Sequence, residues 1–207
     1  MEREQIIQQI HEVWGIEAQS VSNLKNNVDP AALVAVVASL GNCRGRVITT
    51  GAGTSAAAAK KIAHSLSCVE IPSFFLSPAD AVHGGLGVVQ KGDVVIAVSK
   101  GGGTEEIIKI LPSIKVKGAT LIGVTENEES KLAKASDIVL KVKVEKEPCP
   151  FNMLATASTM AVIAAFDGIA ITLMSYKGYT REQFAIIHPS GAVGERLLQG
   201  EGEGKKL

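Results

Sequence analysis

Two short stretches, GAGTSA (Gly51–Ala56) and SKGGGT (Ser99–Thr104), place glycines between an apolar run and a helical pattern, with hydroxyls alongside. That arrangement suits an anion. Glycine lets the backbone approach a ligand closely, a helix start leaves free N–H groups, and hydroxyls add donors. Gly53 and Gly101 supply the close approach, and Thr54, Ser55, Ser99 and Thr104 supply the hydroxyls. Either loop alone reads as a cap and a tight turn. Together, at the ends of neighbouring strands, they read as a cradle for one phosphate monoester. Lys100 either lends that phosphate a cation or points to solvent, and both orientations stay open.

GAGTSA also matches the dinucleotide fingerprint, which expects an acid at the end of the next strand. Glu70 has roughly that separation but precedes the apolar PSFFLS instead of ending it, so a nucleotide-dependent oxidoreductase is the weaker reading. The Walker A pattern G-x-x-x-x-G-K-[ST] is absent.

Proton-moving residues lie elsewhere. Glu147 stands in KEPCP, where prolines on both sides of Cys149 restrain the turn. A carboxylate held there in a partly dry crevice would have a raised pKa, although a solvated turn carboxylate is the simpler reading of Glu147 alone. His188 lies in IIHPSG before an expected helix start, and His83 in AVHGGLG before two glycines; an imidazole at either place can exchange protons near neutral pH. His11 and His64 fall on expected helices and read as structural. Cys43, Cys68 and Cys149 lack metal-site spacing and read as reduced packing residues, so no metal is expected.

Apolar runs alternating with helical patterns must position these residues. Strands are expected at RVITT, PSFFLS, DVVIAVS, ATLIGVT and DIVLKV, with helices at Ser55–Ser67, from Thr104, and around Ser130–Lys134. Continuous apolar strands imply a parallel sheet covered on both faces: an α/β, three-layer αβα sandwich of the doubly wound kind, ordered 2-1-3-4-5. A long helix over 2–26 and a second from Pro30 through Leu40, capped by Asp29, precede the sheet. An apolar helix over Met153–Met174, a short one near Arg181–Ile187 and a terminal helix starting at PSGAVGERLL follow it. We read one domain over 1–207: N-terminal helices over 1–45, sheet core over 46–145, C-terminal helices over 146–199 and a flexible tail over 200–207.

The composition narrows the partners. Net charge is zero and aromatics make up 4%, so neither a phosphate-backbone footprint nor a base-stacking surface is expected, and no nucleic acid with it. The N-terminus MEREQIIQQI lacks a signal-peptide pattern, which suggests a cytoplasmic protein. Thr156, Ser158, Thr159, Asp167 and Thr172 interrupt the Met153–Met174 stretch, and a carboxylate is costly in lipid, so no membrane span is expected. A mean hydropathy of +0.22 fits a deep core together with apolar surface buried between subunits.

Taken together, GAGTSAAAAKKIA, PSFFLSPADAVHGGLG, VVIAVSKGGGTEEI, VEKEPCPFNMLATAST and FAIIHPSGAVGERLL resemble the sugar isomerase (SIS) domain, nearest the arabinose-5-phosphate isomerase group. The resemblance implies a five-stranded parallel sheet, binding of phosphorylated sugars without a cofactor, tetrameric assembly (so a homo-oligomer, dimer or tetramer, is expected of this chain) and aldose–ketose isomerisation. It aligns Glu147 with the group's catalytic glutamate, the base that forms an enediol. It aligns His188 and His83 with active-site histidines for ring opening or oxygen protonation, His188 approaching from a neighbouring subunit. The group's larger members add paired CBS domains. Thr54 stands where the group has a lysine, Gly103 where it has an acid and Gly101 where it has a serine; GTS is closer to the SIS domains of glucosamine-6-phosphate synthases. Those departures keep a second reading open, a non-catalytic phosphosugar-binding module.

Overall fold

The computed structural model describes residues 1–189. The expected 200–207 tail, and all but the first residue of the expected terminal helix, lie outside the described residues. Five parallel strands form one sheet: β1 (Val47–Gly51), β2 (Ser73–Phe75), β3 (Val94–Val98), β4 (Thr120–Thr125) and β5 (Ile138–Lys141), in the order β2-β1-β3-β4-β5. β1 and β3 are in register along their length, Val47 opposite Val94 and Gly51 opposite Val98, so both end at the same level of the sheet.

Side chains alternate across each strand and both faces are dry. Val94, Ile96 and Val98 enter one apolar cluster, while Val95 and Ala97 enter the other. Three helices cover the first face: α2 (Pro30–Gly41) through Val36 and Leu40, α3 (Thr54–Ser67) through Ile62 and Leu66, and α7 (Ala157–Lys177) through Phe166, Ile169 and Leu173. The second face takes α4 (Pro78–Ala81), α5 (Glu105–Val116) and α6 (Lys131–Ala135), with Ile107, Ile110 and Leu132 as deep contacts. The three-layer sandwich and its strand order are those expected.

α1 (Arg3–Asn27) packs on α7, and α8 (Arg181–Ile187) closes the described chain. Asp29 caps α2 as expected, its side chain accepting from Ala31 N at 2.9 Å with Pro30 next. Along α1, Ile6, Ile7, Ile10 and Trp14 stay exposed, so part of its apolar face finds no cover within one chain.

Two features depart from the sequence reading. α4 and a 3-10 turn over Gly85–Val88 fill the link from β2 to β3, which had no expected helix. Ser77 caps α4 by accepting from Asp80 N, and Pro78 starts it; four residues are too few to show a period. The apolar stretch from Met153 becomes helical only at Ala157: the N–H groups of Met153 and Leu154 go to the Cys149 sulfur and that of Thr156 to a carboxylate. By length and composition α7 would suit a membrane span, but Ala161, Phe166, Ile169 and Leu173 are buried in the sheet core and Asp167 pairs with Lys61 of α3.

Candidate active site

The two glycine loops leave neighbouring strand ends at the point where the chain runs one way to β2 and the other way to β4, the place where open α/β sheets bind ligands. α3 and α5 lie on opposite faces of the sheet, and each begins where its loop ends. The first N–H groups of both helices lack an intrahelical acceptor.

In the first loop, Gly53 has φ 56° and ψ −130°, a conformation that favours glycine, and a Cβ on Gly51 would lie 2.7 Å from the carbonyl oxygen of Ser55. The second loop is closed by its own hydroxyls. Ser99, 2% exposed, meets Thr104 at 2.8 Å between hydroxyl oxygens. Thr125 at the end of β4 donates its hydroxyl to the Lys100 carbonyl at 2.8 Å, and Leu132 N donates to the Gly102 carbonyl at 3.1 Å. Gly102 has φ 67°, and a Cβ there would lie 2.0 Å from Ser130 Oγ. Gly101 and Gly103 face open space, with nothing within 4 Å of a built Cβ. Only the middle glycine is demanded by the loop.

Glu147 reaches this edge from the turn after β5. Its side chain is fully buried and its carboxylate is saturated with donors. Oε1 takes the Lys100 ammonium at 2.7 Å and the Ser158 hydroxyl; Oε2 takes Thr156 N at 3.0 Å and Ser158 N at 3.3 Å. Lys100 therefore does not point free into solvent: it is ion-paired to the second expected site residue. Glu147 occupies the orphan N–H groups at the start of α7, where a negative charge is favoured. Burial pushes its pKa up, and that is the largest single influence. The Lys100 ammonium, the Ser158 hydroxyl and the Thr156 and Ser158 N–H groups together outweigh it and hold the carboxyl below its ordinary range. The expected rise in pKa is thus corrected: the crevice is dry, but it is lined with donors.

The turn that carries Glu147 is held locally. Asn152, at φ 54°, accepts from Glu147 N through its side-chain oxygen at 2.6 Å. Cys149 Sγ accepts from Leu154 N at 3.1 Å and Met153 N at 3.2 Å, and these N–H groups hold its thiol below the ordinary cysteine range. Cys149 is therefore a hydrogen-bond acceptor in a turn, not the packing residue expected.

Thr54, Ser55, Lys100, Thr125, Ser158 and Thr159 form the polar part of one cavity, of about 50 Å³. Thr125, Asn152, Thr156 and Ser158 were not expected as site residues; Thr156 and Ser158 were read only as interruptions of an apolar stretch. A hydroxyl ending an apolar strand, as in TLIGVT, was the available signal for Thr125; the other three contact Glu147 only because the turn folds back on itself.

Among the described residues, no hydrogen bond or ion pair joins His188 or His83 to Glu147. His188 follows α8, beyond the C-terminal end of α7, whereas Glu147 sits at its N-terminal end; 21 residues of helix make about 31 Å. Its ring stacks on Phe184 at 4.0 Å, and Nδ1 meets the Phe184 carbonyl at 2.9 Å, a contact in which Nδ1 donates. His83 is exposed in the link after α4. His11 lies beside Trp14 and His64 beside Cys68. Glu70 accepts from Gln183 before β2 begins, far from the strand end a ribose-binding acid would occupy.

Comparison with known proteins places this arrangement. A family model described as SIS domain matches residues 39–182. Arabinose 5-phosphate isomerase KdsD of Pseudomonas aeruginosa is 47% identical over 155 residues, covering 75% of this chain and 48% of the relative. Arabinose 5-phosphate isomerase KdsD of Francisella tularensis is 38% identical over 189 residues, covering 90% of this chain and 58% of the relative. The chain thus spans about half the length of the curated relatives it matches. A Listeria monocytogenes structure carrying an inferred sugar-phosphate isomerase assignment superposes with a TM-score of 0.91 at 52% identity, covering 92% of this chain and all of that one. An E. coli CFT073 protein solved in complex with arabinose 5-phosphate superposes with a TM-score of 0.87 at 33% identity, covering 91% of this chain and all of that one.

Proposed function

This chain belongs to the SIS domain family, and from that premise we propose that it interconverts an aldose phosphate and a ketose phosphate through an enediol. Arabinose 5-phosphate is the leading substrate, supported by the names of the curated relatives and by the ligand of the E. coli structure. The single observation that carries the reading is that Glu147, from the turn after β5, meets Lys100 of the second glycine loop at 2.7 Å. A base and an anion cradle thereby share one edge.

In this scheme the phosphate rests on Gly53, Thr54 and Ser55 at the start of α3, and on Ser99, Lys100, Gly101 and Thr104 before α5. Hydroxyls, helix N–H groups and one ammonium are the donors a phosphate dianion needs. Glu147 takes the proton from the carbon beside the carbonyl and returns it to the neighbouring carbon. His188 of a second copy and His83 serve ring opening and oxygen protonation. That copy is supported by the apolar surface left bare in one chain: Ile6, Ile7, Ile10 and Trp14 of α1, and a groove between α1, α2 and α7 with Val34 and Tyr176 exposed on it. We propose a homo-oligomer, a dimer or tetramer, acting in the cytoplasm without nucleic acid or membrane.

The test is a panel of pentose and hexose phosphates, scored first for thermal stabilisation and then for isomerisation. The reading expects at least one aldose phosphate to raise Tm and to yield its ketose. Stabilisation without turnover would return the chain to the binding-module reading. No stabilisation by any of the panel would remove both.

A further inference from the structure

The carboxylate proposed as the base is covered. A carboxylate offers about four acceptor positions, and Glu147 fills them with four donors. A base so occupied has no lone pair for a carbon acid until one donor leaves. The Thr156 and Ser158 N–H groups are fixed at the start of α7, and Ser158 is itself buried at 7% exposure. Lys100 differs: its side chain is 35% exposed and ends in a rotatable ammonium on a four-carbon stem.

Lys100 also has somewhere to go. It lines the same cavity as Thr54 and Ser55 at the start of α3, and among the described residues it is the one charged side chain lining that cavity. Apart from Lys100, the groups that contact Glu147 are neutral: Ser158 from α7, and Asn152 and Thr156 from its own turn. In the empty site one cation meets one anion. A bound phosphate monoester makes two anions for the same cation; the dianion carries the greater charge, while Glu147 keeps its three other donors.

Building on the isomerase reading, we propose that Lys100 is a partner-switching residue: it covers Glu147 in the empty site and moves to the incoming phosphate, so that substrate binding uncovers the base. The exchange breaks one ion pair and makes another, and no proton changes hands. Without the ammonium the burial of Glu147 regains its weight, and the carboxylate becomes a stronger base at the moment a substrate is present. By linkage, ionised Glu147 weakens phosphate binding to the same extent that phosphate raises the Glu147 pKa.

Two readouts test the switch. The first is the titration of the Glu147 carboxyl carbon by NMR in protein carbon-13-labelled at glutamate, with and without inorganic phosphate. The midpoint is expected to rise on phosphate binding in wild type, by an amount matching a coupling of about 5- to 150-fold. In Lys100→Gln it is expected to be high already and unmoved by phosphate. The second is the pH profile of turnover. The acid limb of kcat/KM reports the free enzyme and that of kcat the loaded one. In wild type the kcat limb is expected at the higher pH, and in Lys100→Gln the two limbs are expected to coincide, with KM raised.

Phosphate binding that leaves the wild-type Glu147 titration in place overturns the switch, and needs no variant to show it. Coincident limbs in wild type overturn it as well, while turnover itself stands. Absence of turnover with every sugar phosphate overturns the isomerase reading first, and this proposal with it.

Discussion

At the residue scale, the second glycine loop separates what the backbone requires from what the site leaves open. Gly102 combines φ 67° with a built Cβ 2.0 Å from Ser130 Oγ, whereas Gly103 carries neither constraint. Gly102→Ala should cost about 2–4 kcal/mol, from left-handed strain plus overpacking. Gly103→Glu should leave Tm within a degree or two of wild type, and would place an acid where the arabinose-5-phosphate isomerase group has one. Calorimetry on the two variants checks the contrast; an equal loss for both would show that the loop tolerates no side chain at all. KEPCP marked Glu147 as a restrained turn carboxylate and only the family resemblance gave it a role; its environment was not legible at all. Its partners lie 47 residues before it and 9 to 11 after it, and only the folded turn joins them. For that reason a dry crevice led to the wrong direction of pKa: burial was readable in the prolines, and the four donors were not.

The element that gives Glu147 its second role is α7. The carboxylate stands where a helix N-cap would, with Thr156 making no side-chain cap bond of its own. A carboxyl whose pKa is depressed on folding stabilises the native state above its unfolded pKa, about 4.3, and loses that contribution as pH falls through the folded value. The stability difference between wild type and Glu147→Gln should therefore be full at pH 7, on the order of 1–2 kcal/mol for a lost charged cap, and should shrink below about pH 4. Urea titrations of both proteins at pH 7 and pH 3.5 measure it; a difference that grows on acidification contradicts the direction assigned here. Long elements with a clear period were readable, as the expected helix over 2–26 shows, and so was the Asp29 cap that follows it. α4 was missed because one turn of helix leaves no periodic trace.

Across the whole molecule, the proposed site draws on more than one copy of the chain. Glu147 and His188 stand at opposite ends of α7, so the histidine serves the proposed reaction only from another copy. The groove beside α7 is where a copy would seat, and Val34, 69% exposed on its rim, is the natural place to unseat it. Val34→Asp should shift light-scattering mass toward the monomer and reduce turnover in parallel. A monomeric variant with full activity would show that His188 is not needed in trans. The switch-point site and both loops were readable from the alternation of strands and glycines, because topology fixes where strand ends meet. The distance from His188 to Glu147 was not, since it depends on how α7 spans the sheet.

The central claim is proton transfer by Glu147 at the edge shared with the phosphate loops. The most direct measurement is proton NMR of arabinose 5-phosphate and the panel's other aldose phosphates, incubated with the protein in deuterium oxide. The wild type should yield a ketose phosphate, with deuterium at C1 wherever the proton on Glu147 exchanges with solvent before its return, and Glu147→Gln should slow its appearance by about 10²–10⁴-fold while still binding inorganic phosphate. Ketose formed by the Gln variant at the wild-type rate would contradict the account.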